Sequence, residues 1–104
     1  MKEEYKVALY SLILEISFIT LDIGKFFHYY ELLNQLKLKN QLYTISLIHQ
    51  MERIVLIAPS NYDYALKEMK RITECLKDNE VLVECYHLCL GIIYYCKGEY
   101  RLQD

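Results

Sequence analysis

The segment SNYDYALKEMKRITECLK, residues 60–77, has the clearest helical pattern of the chain. Apolar and charged side chains recur on opposite sides at helical spacing, which predicts an amphipathic helix. The apolar side is Tyr62, Ala65, Leu66, Met69, Ile72 and Leu76, and the charged side is Asp63, Lys67, Lys70, Glu74 and Lys77. Ser60, with an acid three residues later, predicts a capping box, so we expect the helix to begin after Ser60 and to end near Lys77.

The next segment towards the C-terminus predicts a second, more enclosed helix over residues 80–97. Its polar stripe is narrow (Glu80, Glu84, His87 and Gly91), and the other positions are mostly Val, Leu, Ile, Tyr and Cys. Either residue of the Asp78-Asn79 turn can cap this helix, and Gly98 is expected to stop it. Because a short turn joins the two helices, they are expected to form an antiparallel hairpin.

The N-terminal segment, residues 3–23, predicts a helix that is apolar around most of its circumference. Its polar positions are Glu4, Ser11, Glu15 and Asp22, which share one narrow stripe. Such a helix is expected in a core or an interface, with Gly24 as its stop. Glu15 near the middle of a short apolar run argues against a membrane span, since a central charge costs a few kcal/mol.

Residues 25–57 predict further helical structure, ended by Pro59. Lys37 to Asn40 have the pattern of a helix end, which favours two helices at 25–38 and 41–57 over one long bent helix. With few Gly and Pro in 104 residues, the chain is predicted to be all-α. We expect one domain, residues 1–104, folded as an antiparallel bundle of four to five helices.

Composition limits the class of function. Hydrophobic residues make up 54% of a short chain, so part of the apolar surface is expected to need an oligomer or a partner. The net charge of −2, with scattered cations, argues against nucleic-acid binding. Without a recognisable export signal, the chain is expected in the cytoplasm, with its cysteines as thiols.

No motif for chemistry is evident in the sequence. Cys85, Cys89 and Cys96 share one apolar helical face and are interpreted as small core side chains. A metal- or thiol-dependent sensor or enzyme that uses these cysteines with His87 is the alternative. The three histidines are far apart, and each is interpreted as a partly exposed helix residue. We therefore predict no catalytic residue, no metal, no cofactor and no enzymatic activity.

The C-terminal hairpin resembles a tetratricopeptide repeat over roughly residues 60–100. The segment LGIIYYCKGEY, residues 90–100, is similar to the family pattern Leu-Gly-x-x-Tyr-x-x-x-Gly-x-Tyr. The resemblance implies close helix packing at Gly91 and a helix end at Gly98. It also implies that a repeat would continue beyond Asp104, which leaves the face of Tyr94 and Tyr95 open to a partner.

A second local similarity concerns the cytoplasmic domain of a type VI secretion membrane-complex subunit. Residues 84–90, ECYHLCL, and residues 98–101, GEYR, look like the end of that domain.

These observations together predict a protein–protein interaction module, a small adaptor, chaperone or inhibitor with a Tyr-rich helical face. A homodimer is expected, because a second copy is the simplest partner. The predicted partner-binding residues are Tyr94, Tyr95, Tyr100, Phe26, Tyr29 and Tyr30. AT-rich coding is the other explanation for the 11 tyrosines. Within the same class, a phage or viral inhibitor of a host defence complex is an alternative.

Overall fold

The computed structural model describes residues 2–36 and 43–98, and all regular structure in these two ranges is helical. Five α-helices follow one another, with a 3-10 helix at Ala58–Ser60 between the third and the fourth. They are α1 Glu3–Ile19, α2 Ile23–Asn34, α3 Tyr43–Ile57, α4 Tyr62–Leu76 and α5 Glu80–Lys97. The predicted all-α class and the number of helices are confirmed.

The chain divides into two compact units, Met1–Arg53 and Ile54–Asp104. In the first unit α1 packs against α2, and in the second unit α4 packs against α5. The prediction of a single domain over residues 1–104 stays a prediction.

The turn between α1 and α2 differs from the sequence prediction. We expected α1 to reach residue 23 and to stop at Gly24, which is wrong: α1 ends at Ile19 and Gly24 lies in the first turn of α2. The physical reason is the cap at Asp22, whose side chain accepts a hydrogen bond from the Lys25 N–H at 3.1 Å and so starts a new helix. Leu21, with φ of 57°, takes the left-handed conformation that the turn requires.

In the described parts of residues 23–57 the structure has two helices, as the sequence favoured, although the first begins at Ile23 and ends at Asn34, before the predicted residue 38. α2 ends at Asn34 with Gln35 as its C-cap, and α3 begins at Tyr43. The predicted break at residues 37–40 lies outside the described residues.

The start of α4 corrects another expectation. Asn61, not Ser60, is the N-cap: the Asn61 side chain accepts a hydrogen bond from the Tyr64 N–H at 3.1 Å. Pro59 explains the shift, because it lies in the 3-10 turn that follows α3 and that turn includes Ser60. The first residue able to cap α4 is therefore one position later than the capping-box pattern indicates.

The turn and the helix ends of the α4–α5 hairpin agree with the sequence analysis, but the prediction that α5 is the more enclosed helix is wrong: Val81, Leu88 and Tyr95 are exposed. Asn79 caps α5 by accepting a hydrogen bond from the Leu82 N–H at 3.2 Å. Gly98 ends α5 in the left-handed conformation, with φ of 86°. One apolar side of each helix is buried, and the buried residues are Ala65, Met69, Ile72 and Leu76 in α4 and Leu82, Cys89 and Ile93 in α5.

Candidate functional site

Two polar side chains in the middle of the first helix face the interior. Ser11 and Glu15 lie one turn apart on α1, and both approach His49 of α3. Val7, Leu14 and Ser17 are the buried positions of the same helix. Part of the polar stripe predicted in residues 3–23, at Ser11 and Glu15, therefore lies in the interior.

His49 is the centre of this interior group. Its side chain is buried, with 1% of the residue exposed, and Glu52, one turn later on α3, is 5% exposed. Nδ1 of His49 lies 2.7 Å from Oε1 of Glu52 and 3.7 Å from Oε1 of Glu15. Nε2 lies 2.8 Å from Oγ of Ser11. We call these four residues, all in the first unit, the His49 cluster.

Hydrogen bonding fixes the tautomer of the imidazole. An ionised carboxylate only accepts, so the Nδ1–H of His49 donates to Glu52 and the Ser11 hydroxyl donates to Nε2. Burial lowers the pKa of His49, while the charge of Glu15 acts in the opposite direction. The imidazole is therefore neutral at pH 7, and its contact with Glu52 is a hydrogen bond, not an ion pair.

Glu15 holds its proton more tightly than an exposed carboxyl does. Burial raises the pKa of Glu15 to about 7, and a hydrogen bond to Glu52 and repulsion from that carboxylate act in the same direction. The His49 charge, where present, lowers it. A fraction of the Glu15 carboxyl groups is therefore protonated around neutral pH.

The order Ser11–His49–Glu52 has the connectivity of a hydrolytic triad, but the position of Ser11 argues against that chemistry. Ser11 lies in the middle of α1, where the neighbouring backbone N–H groups are donors within the helix. A tetrahedral intermediate needs such donors for its oxyanion. The arrangement is better suited to holding α1 against α3 and to binding a cation.

The His49 cluster was missed by sequence reasoning. We interpreted all three histidines as partly exposed, which is wrong for His49 and agrees with the exposed His28 and His87. The signal was present as two polar pairs at helical spacing, Ser11 with Glu15 and His49 with Glu52. Nothing in one sequence shows that the two pairs face each other.

The outer side of α1 is apolar and exposed. Tyr5, Leu9, Leu12, Ile16 and Ile19 follow one another at alternating spacings of four and three residues, and each is exposed by 42% or more. We call these five residues the α1 row. A 4-3 repeat is the pattern by which one helix packs along another. In this conformation the α1 row lies on the surface and is not part of the core.

The predicted partner-binding residues differ in their exposure to solvent. Tyr94 and Tyr95 are on the exposed part of α5, with Tyr95 63% exposed. Tyr100 lies outside the described residues. Phe26 is completely buried, so its side chain belongs to the core and cannot contact a partner in this conformation.

Tyr29 and Tyr30 are half-buried and already have ring contacts. The Tyr29 ring lies 5.7 Å from that of Tyr10, and Tyr30 is stacked on Phe26. The Arg53 guanidinium lies 5.8 Å from the centre of the Tyr30 ring. Partner binding by Tyr29 and Tyr30 stays a prediction, since these contacts account for both rings by packing alone.

The cysteines of the second unit have mixed environments. Cys89 is buried as expected of a core side chain, Cys75 and Cys85 are half-buried, and Cys96 is exposed. Over residues 2–36 and 43–98, the one group of three or more metal-ligating side chains is Glu15, His49 and Glu52, not the cysteines.

Comparison with known proteins found no relative. No protein-family model matches the chain, and no curated protein and no solved structure is significantly similar to it. The resemblances to a tetratricopeptide repeat and to a type VI secretion subunit therefore stay predictions. Among the described helices, none is both long enough and apolar enough to cross a membrane.

Proposed function

We propose that this protein is a small helical interaction module that binds protein chains through exposed apolar helix faces, beginning with a second copy of itself. The α1 row is the observation that supports the proposal most strongly. No catalytic role is part of it.

The size of the α1 row supports an interface. The five side chains of the α1 row are roughly half exposed, so together they present on the order of 300 Å² of apolar surface to solvent. Complete burial of one Leu or Ile side chain stabilises by about 1.5–3 kcal/mol, at about 25 cal/mol/Å². Contiguous patches of this size on soluble proteins are often functional. Leu21 and Ile23, which are also exposed, extend the patch at the C-terminal end of α1.

A second copy suits the α1 row because the row is complementary to itself. Its 4-3 repeat runs over about 21 Å at 1.5 Å per residue, enough for two α1 helices to interlock along several turns. Burial in both copies gives on the order of 15 kcal/mol. Association costs about 4–15 kcal/mol, so we expect a weak, reversible dimer.

A charge placed in the α1 row tests the proposal. We expect Leu12→Glu to weaken dimerisation at least about 30-fold, the effect of losing ~2 kcal/mol at a central interface position. Val81→Glu on α5 is the matched control, because Val81 is 60% exposed and Leu12 is 58% exposed. Light scattering gives the mass, and circular dichroism checks that both variants are folded. A dimer that survives Leu12→Glu and dissociates in Val81→Glu would place the interface on α5 and refute the proposal.

A different protein is the second partner that we propose, and its binding face is on α5. Val81, Leu88 and Tyr95 recur every seven residues and are exposed. Beside them Tyr94 adds a partly exposed ring with a polar group, a type of side chain enriched in interfaces. Adaptor, chaperone and inhibitor are the roles that fit such a face. We place the protein in the cytoplasm, since the exposed thiol of Cys96 suits a reducing compartment.

A further inference from the structure

We propose that Glu15, His49 and Glu52 form a binding site for a divalent transition-metal ion such as zinc. The inference is independent of the interaction role, because it concerns the inner side of α1 and not the α1 row.

The geometry of the three side chains fits one ion. One ligand atom from each residue lies within 4.8 Å of the others. An ion about 2.0–2.2 Å from nitrogen and oxygen ligands can reach all three after small rotations of the carboxylates. His49 and Glu52 come from one turn of α3 and Glu15 comes from α1, so the ion would tie the two helices together.

The chemistry of the ligand set selects the class of ion. One imidazole nitrogen with two carboxylates suits zinc and similar first-row ions, whereas magnesium and calcium prefer oxygen ligands alone. Three protein ligands leave a further coordination position for water. Two carboxylates also supply the negative charge that a buried divalent cation needs.

Ser11 provides the support that a metal-bound histidine requires. When Nδ1 binds an ion it loses its proton, and Nε2 then carries the hydrogen. At 2.8 Å the Ser11 Oγ can accept from that Nε2–H, as it can donate in the metal-free protein. A hydrogen bond of this kind orients the ring of a ligating histidine and holds its tautomer.

The site has a path to solvent. The side chain of Glu15 is 43% exposed, whereas those of His49 and Glu52 are 2% and 7% exposed. An ion can therefore be met first by Glu15 and then transferred to the two interior ligands. A buried pair such as His49 and Glu52 without such a neighbour would be closed to exchange.

The test is titration of the full-length, reduced protein with Zn²⁺ and, separately, with Co²⁺. We expect one ion per chain and a Co²⁺ visible spectrum without the near-ultraviolet band of a thiolate complex. Glu15→Gln removes a charged ligand and should weaken Zn²⁺ binding at least about 100-fold. Ser11→Ala removes only the hydrogen-bond partner of the ligand His49 and should weaken binding about 10-fold, the size of effect known for outer-shell partners. Glu4→Gln, an exposed acid on the same helix, should leave the affinity unchanged.

His49→Ala should abolish binding, with His28→Ala as its matched control. Because His49→Ala removes a buried side chain and can unfold the protein, the comparison of Glu15→Gln with Glu4→Gln decides the test. No Zn²⁺ binding by the folded wild type, equal affinities of those two variants, or a thiolate band with Co²⁺ would each overturn the proposal. The dimer mass of the same samples is read separately, so failure of this site leaves the α1 row untouched.

Discussion

Replacement of His49 by alanine is the perturbation whose effect on stability follows most directly from the structure. The substitution removes the donor to Glu52 at 2.7 Å and the acceptor for the Ser11 hydroxyl at 2.8 Å. It also leaves a cavity where a fully enclosed ring was. All of these losses lie inside the first unit, between α1 and α3.

The magnitude can be worked from these contacts. A hydrogen bond to a charged group contributes about 1.5–3 kcal/mol and a neutral one about 1 kcal/mol. We therefore expect the free energy of unfolding to fall by about 3 kcal/mol, a large part of the roughly 5–15 kcal/mol of a small domain.

Urea denaturation at pH 7 with EDTA, followed by circular dichroism at one protein concentration, measures this change. With a slope of about 1–3 kcal/mol/M, the midpoint should fall by about 1–3 M. His28→Ala is the control, since an exposed histidine should change stability by no more than about 0.5 kcal/mol. If the two variants differ by less than that amount, His49 does not hold α1 against α3 and the reasoning fails.

Three further predictions test the turns and the protonation of the His49 cluster. Asn61→Ala should lower the free energy of unfolding by about 1 kcal/mol and Ser60→Ala should not, in chemical denaturation; the opposite order would restore Ser60 as the cap. Leu21→Gly should raise the melting temperature, because a leucine at φ of 57° costs about 1–2 kcal/mol; a clear fall would contradict the strained turn. Because the pKa of Glu15 is raised to about 7 from 4.5, the folded state holds a proton that the unfolded state releases between these values. The stability of the wild type relative to Glu15→Gln in EDTA should therefore decrease as pH rises through that range, and a flat or rising difference would refute the raised pKa of Glu15.

The helices could be predicted from the sequence because their signals are local. The 3.6-residue period of residues 62–76, the cap at Asn79 and the stop at Gly98 each act within a turn or two of the chain. The errors are local too. The sequence predicted a helix stop at Gly24 and a helix cap at Ser60, because these residue types are common there. The actual caps are the nearby Asp22 and Asn61, whose side chains accept a hydrogen bond from a free backbone N–H of the helix that follows.

The His49 cluster could not be predicted, since its parts are 38 residues apart in sequence between Ser11 and His49. Periodicity shows which side chains share a helix face, but not which face meets another helix. For α1 this mattered most, because its narrow polar stripe does not show that Ser11 and Glu15 meet His49. The apolar circumference of α1 predicted a helix in a core or an interface; in this conformation Leu12 and Ile16 of the α1 row are exposed, so an interface stays a prediction.

Isotope-filtered NMR on a mixture of labelled and unlabelled protein shows whether the α1 row joins two copies of the chain. We expect nuclear Overhauser effects between chains from the methyl groups of Leu12 and Ile16 to α1 of the partner, in samples whose mass is about twice 12.5 kDa. Effects that arise from Leu88 instead, or a mass that stays at that of one chain at millimolar concentration, would contradict it.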